Sequence, residues 1–87
     1  MGYEVRYSES AKKELRKIDR HRAQIIIAWI EKNLIGCENP RLYGKPLGYD
    51  RKGDWRYRVG LYRIIADIQD NIVTIEIVAV GHRREIY

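Results

Sequence analysis

One cysteine, Cys37, and two histidines, His21 and His82, supply all the thiol and imidazole in the 87 residues. A lone cysteine excludes an internal disulfide, and its simplest setting is a reducing cytoplasm. Cys37 falls just past an expected helix end and reads as a packing residue. His21 and His82 are far apart, and neither joins a cluster with metal-ligand spacing. The expectation is therefore no metal and no cofactor. Phenylalanine is absent, so every aromatic ring belongs to a tyrosine or a tryptophan, with a polar edge as well as an apolar face. Long apolar runs are missing too. The longest, Ile25 to Ile30, falls far short of the roughly 20 residues a membrane span needs. The N-terminus is polar from the start, so no signal peptide is expected. Met1-Gly2 opens like an acylation site, but Arg6 stands where Ser or Thr is required. Repeats and low-complexity segments are also lacking, and residues 1–87 read as one domain.

Positive charge is in excess. Seventeen Lys and Arg against twelve Asp and Glu give +5 and a pI near 9.5. This favours an anionic partner, nucleic acid first among them, although a solvated basic face gives the same number. So short a chain buries only about 60% of its unfolded surface, and most of it must be scaffold.

Tyr3 to Tyr7 alternates apolar and charged residues, which predicts a strand. Ser8 or Ser10 can cap the helix that follows. Ala11, Leu15 and Ile18 form its apolar stripe, while Lys12, Lys13, Arg16 and Lys17 form a solvated face. Asp19 can cap a second helix, with the stripe Ile26, Ile30 and Leu34 flanked by Ile25 and Trp29. Its broader stripe predicts the deeper burial of the two. Gly36 and Asn39-Pro40 stop it. Residues 41–53 carry Gly44, Pro46, Gly48 and Gly53 and read as a loop that is long for this size. Trp55 to Val59 alternates strictly, Gly60 punctuates, and Tyr62 to Ile68 is a further strand. Asp70-Asn71 suits a tight turn, and Ile72 to Val80, rich in β-branched residues, is expected to be the central strand, ended by Gly81. The order β-α-α-β-β-β implies an α+β domain, with a helical hairpin packed on a mainly antiparallel four-stranded sheet.

In the first of these C-terminal strands, Trp55, Tyr57 and Val59 share one face and Arg56 and Arg58 the other. Arg63 follows across the Gly60 turn, and Arg83 and Arg84 follow the long strand. If the strands are neighbours, these guanidiniums converge. Planar guanidiniums grip phosphate through paired hydrogen bonds, and positioned cations stabilise charge developing in phosphoryl transfer. Simple ion pairing with Asp50, Asp54, Asp67 and Glu85 explains the same residues equally well. Tyr62 and Tyr87 can stack on unpaired bases, but a core role is the stronger reading for Trp55, Tyr57 and Tyr62.

The blocks Trp55-Arg56-Tyr57-Arg58-Val59-Gly60-Leu61-Tyr62-Arg63-Ile64-Ile65 and Val80-Gly81-His82-Arg83-Arg84-Glu85-Ile86-Tyr87, in this order and spacing, resemble the RelE/ParE toxin superfamily, and more specifically its RelE branch. Ser8 to Leu15 and Gly44-Lys45-Pro46-Leu47 extend the resemblance over almost the whole chain. It implies the toxin of a type II toxin–antitoxin system: a metal-independent, ribosome-dependent endoribonuclease that cuts mRNA in the ribosomal A site and so inhibits translation. The ribose 2′-OH attacks the neighbouring phosphate and leaves a cyclic phosphate and a 5′-hydroxyl. The implied site lies on the concave side of the sheet, with Arg56, Arg58 and Arg84 binding RNA phosphate and Arg63 and Arg83 stabilising the transition state. Tyr87 is the first choice for general base and His82 its rival, because an imidazole titrates near neutrality. Arginine at positions 56 and 58, where lysine also occurs in the family, keeps the charge but is a poor proton donor. Implied partners are a RelB-like antitoxin, the ribosome with its mRNA, and operator DNA through the antitoxin complex. The ParE branch, which shares the fold but inhibits DNA gyrase, and a non-catalytic basic binding module are the alternatives.

Overall fold

Ser8 and Asp19 decide where the helices begin. In the computed structural model, which describes residues 2–48 and 54–82, the Ser8 Oγ accepts the Ala11 N–H at 3.0 Å and an Asp19 carboxylate oxygen accepts the Arg22 N–H at 3.2 Å. Each satisfies a first-turn donor that has no partner within its helix. Helix α1 spans Glu9–Lys17 and α2 spans Arg20–Asn33, so Ser8 is the cap and Ser10 lies inside the helix. Glu9 at the start of α1 and Arg16 and Lys17 at its end complement the helix dipole. After α2 the chain turns at Gly36, whose φ of 76° lies in the left-handed region. The Gly36 N–H then donates to the Tyr3 carbonyl at 2.8 Å, and the Tyr3 N–H to the Cys37 carbonyl at 2.9 Å. The helix end is thereby tied to the first strand.

The strands are β1 (Glu4–Tyr7), β2 (Lys45–Pro46), β3 (Asp54–Val59), β4 (Tyr62–Gln69) and β5 (Thr74–His82). They form one sheet in the order β1-β5-β4-β3-β2. The expectation of an α+β domain with a mainly antiparallel sheet holds, with one correction in the number of strands. The sheet has five strands rather than four, because the loop after α2 contributes Lys45–Pro46 alongside β3. It is mixed: β1 runs parallel to β5 while the other pairs are antiparallel. A parallel pair needs a long connection, and here the whole helical layer lies between its strands in sequence. β4 is the middle strand, with β5 inside the sheet next to it, and β5 continues through Gly81 to His82.

The connection from β4 to β5 also differs from the expected two-residue turn. Asp70–Ile72 forms a single 3₁₀ turn, followed by Val73 at φ 49°, ψ 49°. Farther along, Ile65 pairs with Ala79 but Ala66 with Ile77, so Val78 is an extra residue, a β-bulge. The bulge resets the alternation. Ile75 and Ile77 are buried before it and Val80 after it, while Ala79 and Gly81 turn to the opposite face. Helix α1 is fastened at this point: the Ser8 N–H donates to the Ile77 carbonyl at 2.9 Å and the Ser8 hydroxyl to the Val78 carbonyl at 3.2 Å. A Glu14 carboxylate oxygen accepts the Val80 N–H at 2.9 Å.

The core lies between the helical layer and one face of the sheet. Ala11, Ile26, Ile30 and Leu34 from the helical layer meet Tyr57, Ile64, Ala66, Ile68, Ile75, Ile77 and Val80. As expected, α2 is the more buried helix, with Ala23, Ile26 and Ile30 inside against Ala11 alone in α1. Leu15, Ile18 and Cys37 pack around the edge. Ile30 is 0% exposed, so Ile30→Ala should cost about 2–5 kcal/mol through lost burial and the cavity it leaves. Urea denaturation should show this as a lower midpoint with an unchanged slope.

Candidate functional site

Alternation in β3 builds the site. Tyr57 is buried and Trp55 and Val59 pack against the core, so Arg56 and Arg58 stand on the face away from the helices. Register brings further residues to them. Arg63 on β4 is the direct cross-strand partner of Arg58, and Ile65 that of Arg56. Lys45 on β2 lies opposite Arg56, and Gly81 and Ala79 on β5 lie opposite Arg63 and Ile65. The result is four cationic side chains beside two small residues. A cleft of about 250 Å³ is lined by Gly44, Lys45, Arg56, Tyr57, Arg58 and Arg63. Like charges directly opposite one another on a sheet are destabilising, and an anion held between Arg58 and Arg63 would offset that repulsion.

Farther along the same face the sign reverses. Asp54 lies opposite Asp67, Asp67 opposite Glu76, and Glu76 opposite Arg6 on β1. Two of the carboxylates considered as arginine partners are therefore cross-strand neighbours of each other, and an Asp67 oxygen accepts the Gln69 amide at 2.9 Å. Asp50 and Glu85 lie outside the described residues.

The long loop is pinned at several points. The buried Tyr57 hydroxyl donates to the Pro40 carbonyl, and the Trp55 indole N–H donates to the Tyr43 carbonyl at 2.6 Å. Trp29 packs on both Tyr43 and Tyr57, at 5.9 and 5.5 Å between ring centroids. Arg41 bonds both Asp70 carboxylate oxygens at 3.0 Å while its guanidinium sits 5.8 Å from the centroid of the Trp55 ring. The Tyr3 hydroxyl donates to Asp70 at 2.7 Å. Gly44 completes the attachment. Its φ is 78°, and a Cβ there would fall 2.1 Å from the Arg56 carbonyl oxygen, so only glycine lets the loop lie this close to β3. Burial holds the Tyr57 hydroxyl protonated far above the usual phenol range. Although it borders the cleft, it is a fixed donor and not a base. Arg41 first, then Tyr3, hold the Asp70 carboxyl below the usual carboxylate range.

Of the residues singled out from the sequence, Arg56, Arg58 and Arg63 converge. His82 does not join them. Its cross-strand partner is Tyr62, and the two rings meet edge to face with centroids 5.7 Å apart. It lines a second hollow with Glu14, Lys17, Ile18, Asp19, Arg22 and Tyr62, because alternation gives Gly81, not His82, the place beside Arg63. Arg83, Arg84 and Tyr87 lie outside the described residues. Lys45 was not recognised from the sequence as a site residue. A two-residue strand is too short to show alternation, and only its pairing with Arg56 brings it to the cleft. Among the described residues no three His, Cys, Asp or Glu side chains are grouped to hold a metal. No helix among them is long and apolar enough to cross a membrane.

A small α+β domain with a cationic cleft on the sheet face opposite its helices is a form shared with known proteins. The chain belongs to the RelE/ParE superfamily of toxins of type II toxin–antitoxin systems: the family model for the ParE toxin of the type II toxin–antitoxin system parDE matches residues 5–87. Toxin RelG of Mycobacterium tuberculosis is 31% identical over 87 residues, 100% of this chain and 98% of RelG. The toxin–antitoxin complex RelBE2 of the same organism contains a chain that superposes with a TM-score of 0.83 at 28% identity, covering 98% of this chain and 95% of that one. The isolated E. coli RelE toxin has the same fold, with a TM-score of 0.76 at 24% identity over 99% of this chain and 92% of its own.

The Arg41–Asp70 clasp gives a pH signature. Because the folded Asp70 pKa is depressed, its contribution to stability is present above the unfolded value and is lost as pH falls through the folded value. Exposure limits the contribution to at most about 1 kcal/mol. The melting temperature of wild type should therefore exceed that of Asp70→Asn by a few degrees at pH 7, and thermal scans should show the gap closing as pH drops below about 4.

Proposed function

We propose that this toxin is a ribosome-dependent, metal-independent endoribonuclease of the RelE kind, which cleaves mRNA in the ribosomal A site and stops translation in the cytoplasm. The observation that carries the reading is the direct opposition of Arg58 and Arg63, with Arg56 and Lys45 alongside, on the sheet face opposite the helices. Each guanidinium can donate paired hydrogen bonds to the non-bridging oxygens of a phosphodiester. They also stabilise the extra negative charge that builds as the 2′-oxygen attacks. RelG and the solved RelE toxins support the same branch. Arg83 and Arg84 complete the cationic set in this reading. Tyr87 takes the 2′-proton in this reading, since arginines brought beside a phenol favour its phenolate. His82 is the weaker base candidate because its ring meets Tyr62 on the other face.

A RelB-like antitoxin is the proposed partner. Toxins of this fold from M. tuberculosis, Pyrococcus horikoshii and Methanococcus jannaschii have been solved in complex with theirs. Operator DNA would be reached through that complex. The ParE description of the matching family model favours a second reading, inhibition of DNA gyrase without RNA cleavage. The arginine cleft has no evident use in that role.

Translation of a defined mRNA with purified toxin, with and without ribosomes, separates the two when cut ends are mapped by primer extension. Cuts inside the A-site codon that need ribosomes are expected. Arg58→Ala and Arg63→Ala should each slow cleavage about 10²- to 10³-fold. An intact transcript together with loss of gyrase supercoiling would establish the ParE reading instead. In the same assay Tyr87→Phe should lose roughly 10²- to 10⁴-fold if its phenol is the base, and near wild-type cleavage would remove that assignment.

A further inference from the structure

Cleavage by 2′-OH attack has two proton demands, and the arginines meet neither. The 2′-OH must lose a proton, and the departing 5′-oxygen must gain one. A guanidinium binds phosphate but hardly ever gives up its proton. Of the side chains around the cleft, Tyr57 is committed to the Pro40 carbonyl and Arg56, Arg58 and Arg63 are guanidiniums. Among the described residues the remaining cationic side chain lining the cleft is Lys45, and an alkylammonium gives up a proton more readily than a guanidinium does. We infer that Lys45 is the proton donor to the leaving 5′-oxygen, an inference that rests on the RNA-cleaving function proposed above.

Placement supports it. Lys45 is the cross-strand partner of Arg56, one strand spacing of about 4.8 Å from it, and Arg58 lies two residues farther along β3 with Arg63 opposite. Lys45 lines the same cleft as that pair. β5 flanks Arg63 on the other side, through Gly81. In-line displacement needs the attacking and leaving oxygens on opposite sides of phosphorus, and β2 and β5 border the arginines from opposite sides. The position of Lys45 is also built in. Gly44 before it tolerates no side chain against the Arg56 carbonyl, Trp55 holds the Tyr43 carbonyl, and the Leu47 N–H after it donates to the Asp54 carbonyl at 3.1 Å. An exposed residue on an ordinary loop would not be held from both sides.

The step balances. The O2′–P bond forms as the P–O5′ bond breaks, the 2′-proton passes to the base, and Lys45 passes one proton to O5′. The neutral amine is reprotonated from water before the next turnover.

The test compares ordinary mRNA with mRNA carrying a single sulfur in place of the bridging 5′-oxygen at the cut, both bound to ribosomes, under single-turnover conditions. A thiolate leaves without a proton. Lys45→Arg keeps the charge and should slow cleavage of ordinary RNA about 10²- to 10³-fold yet cut the sulfur-bridged RNA at close to the wild-type rate. Arg63→Ala should be slow on both. Lys45→Arg cutting ordinary RNA at the wild-type rate, or being equally slow on both substrates at an unchanged melting temperature, would overturn the assignment. Wild-type toxin that cuts neither substrate would instead overturn the proposed nuclease function, and the role of Lys45 with it.

Discussion

Burial of Tyr57 holds the site in place from behind. Its ring is fully covered against Trp29 and the core, and its hydroxyl is bonded to Pro40. With that side chain locked inward, the residues on either side must point outward, because side chains on a strand alternate with a period of two. A slip of one residue would bury two guanidiniums and expose the aromatic ring. The register that suits the core is thus the one that lines up Arg58 with Arg63. The helices never touch the cleft, yet their packing on Tyr57 orients its cations.

Two departures from regular geometry shape what faces the arginines. The bulge at Val78 lets β5 keep Val80 in the core while turning Ala79 and Gly81 to the other face. The cross-strand neighbours of Arg63 and Ile65 on β5 are thus the small residues Gly81 and Ala79. The close approach at Gly44 acts on the opposite side by laying the loop along β3, which turns Lys45–Pro46 into an edge strand. Both depend on contacts between residues distant in sequence: Glu14 with Val80 in one case, Trp55 with Tyr43 in the other.

The charge on the sheet is sorted as well as abundant. Cations gather where β2, β3 and β4 meet, and Asp54, Asp67 and Glu76 line up across β3, β4 and β5 beyond them. A net charge of +5 understates the local field, because opposite charges elsewhere cancel in the sum but not in space. Such a face orients an approaching polyanion as well as attracting it.

The elements and their order were legible in the sequence, because capping hydroxyls, helical stripes and strict alternation are local signals. Ser8, Asp19, Gly36 and the Trp55–Val59 segment each did what their chemistry requires. The two-block pattern around Arg56 and Arg83 was enough to indicate the superfamily. The parallel pairing of β1, the bulge at Val78, the 3₁₀ turn before Val73 and the strand made by Lys45–Pro46 were not legible. Each is settled by which distant segment supplies a hydrogen-bond partner. The same holds for His82 and Lys45. The sequence determined which cations and proton carriers the protein possesses. Only the tertiary structure, through strand register and one inserted residue, decided which of them share a face.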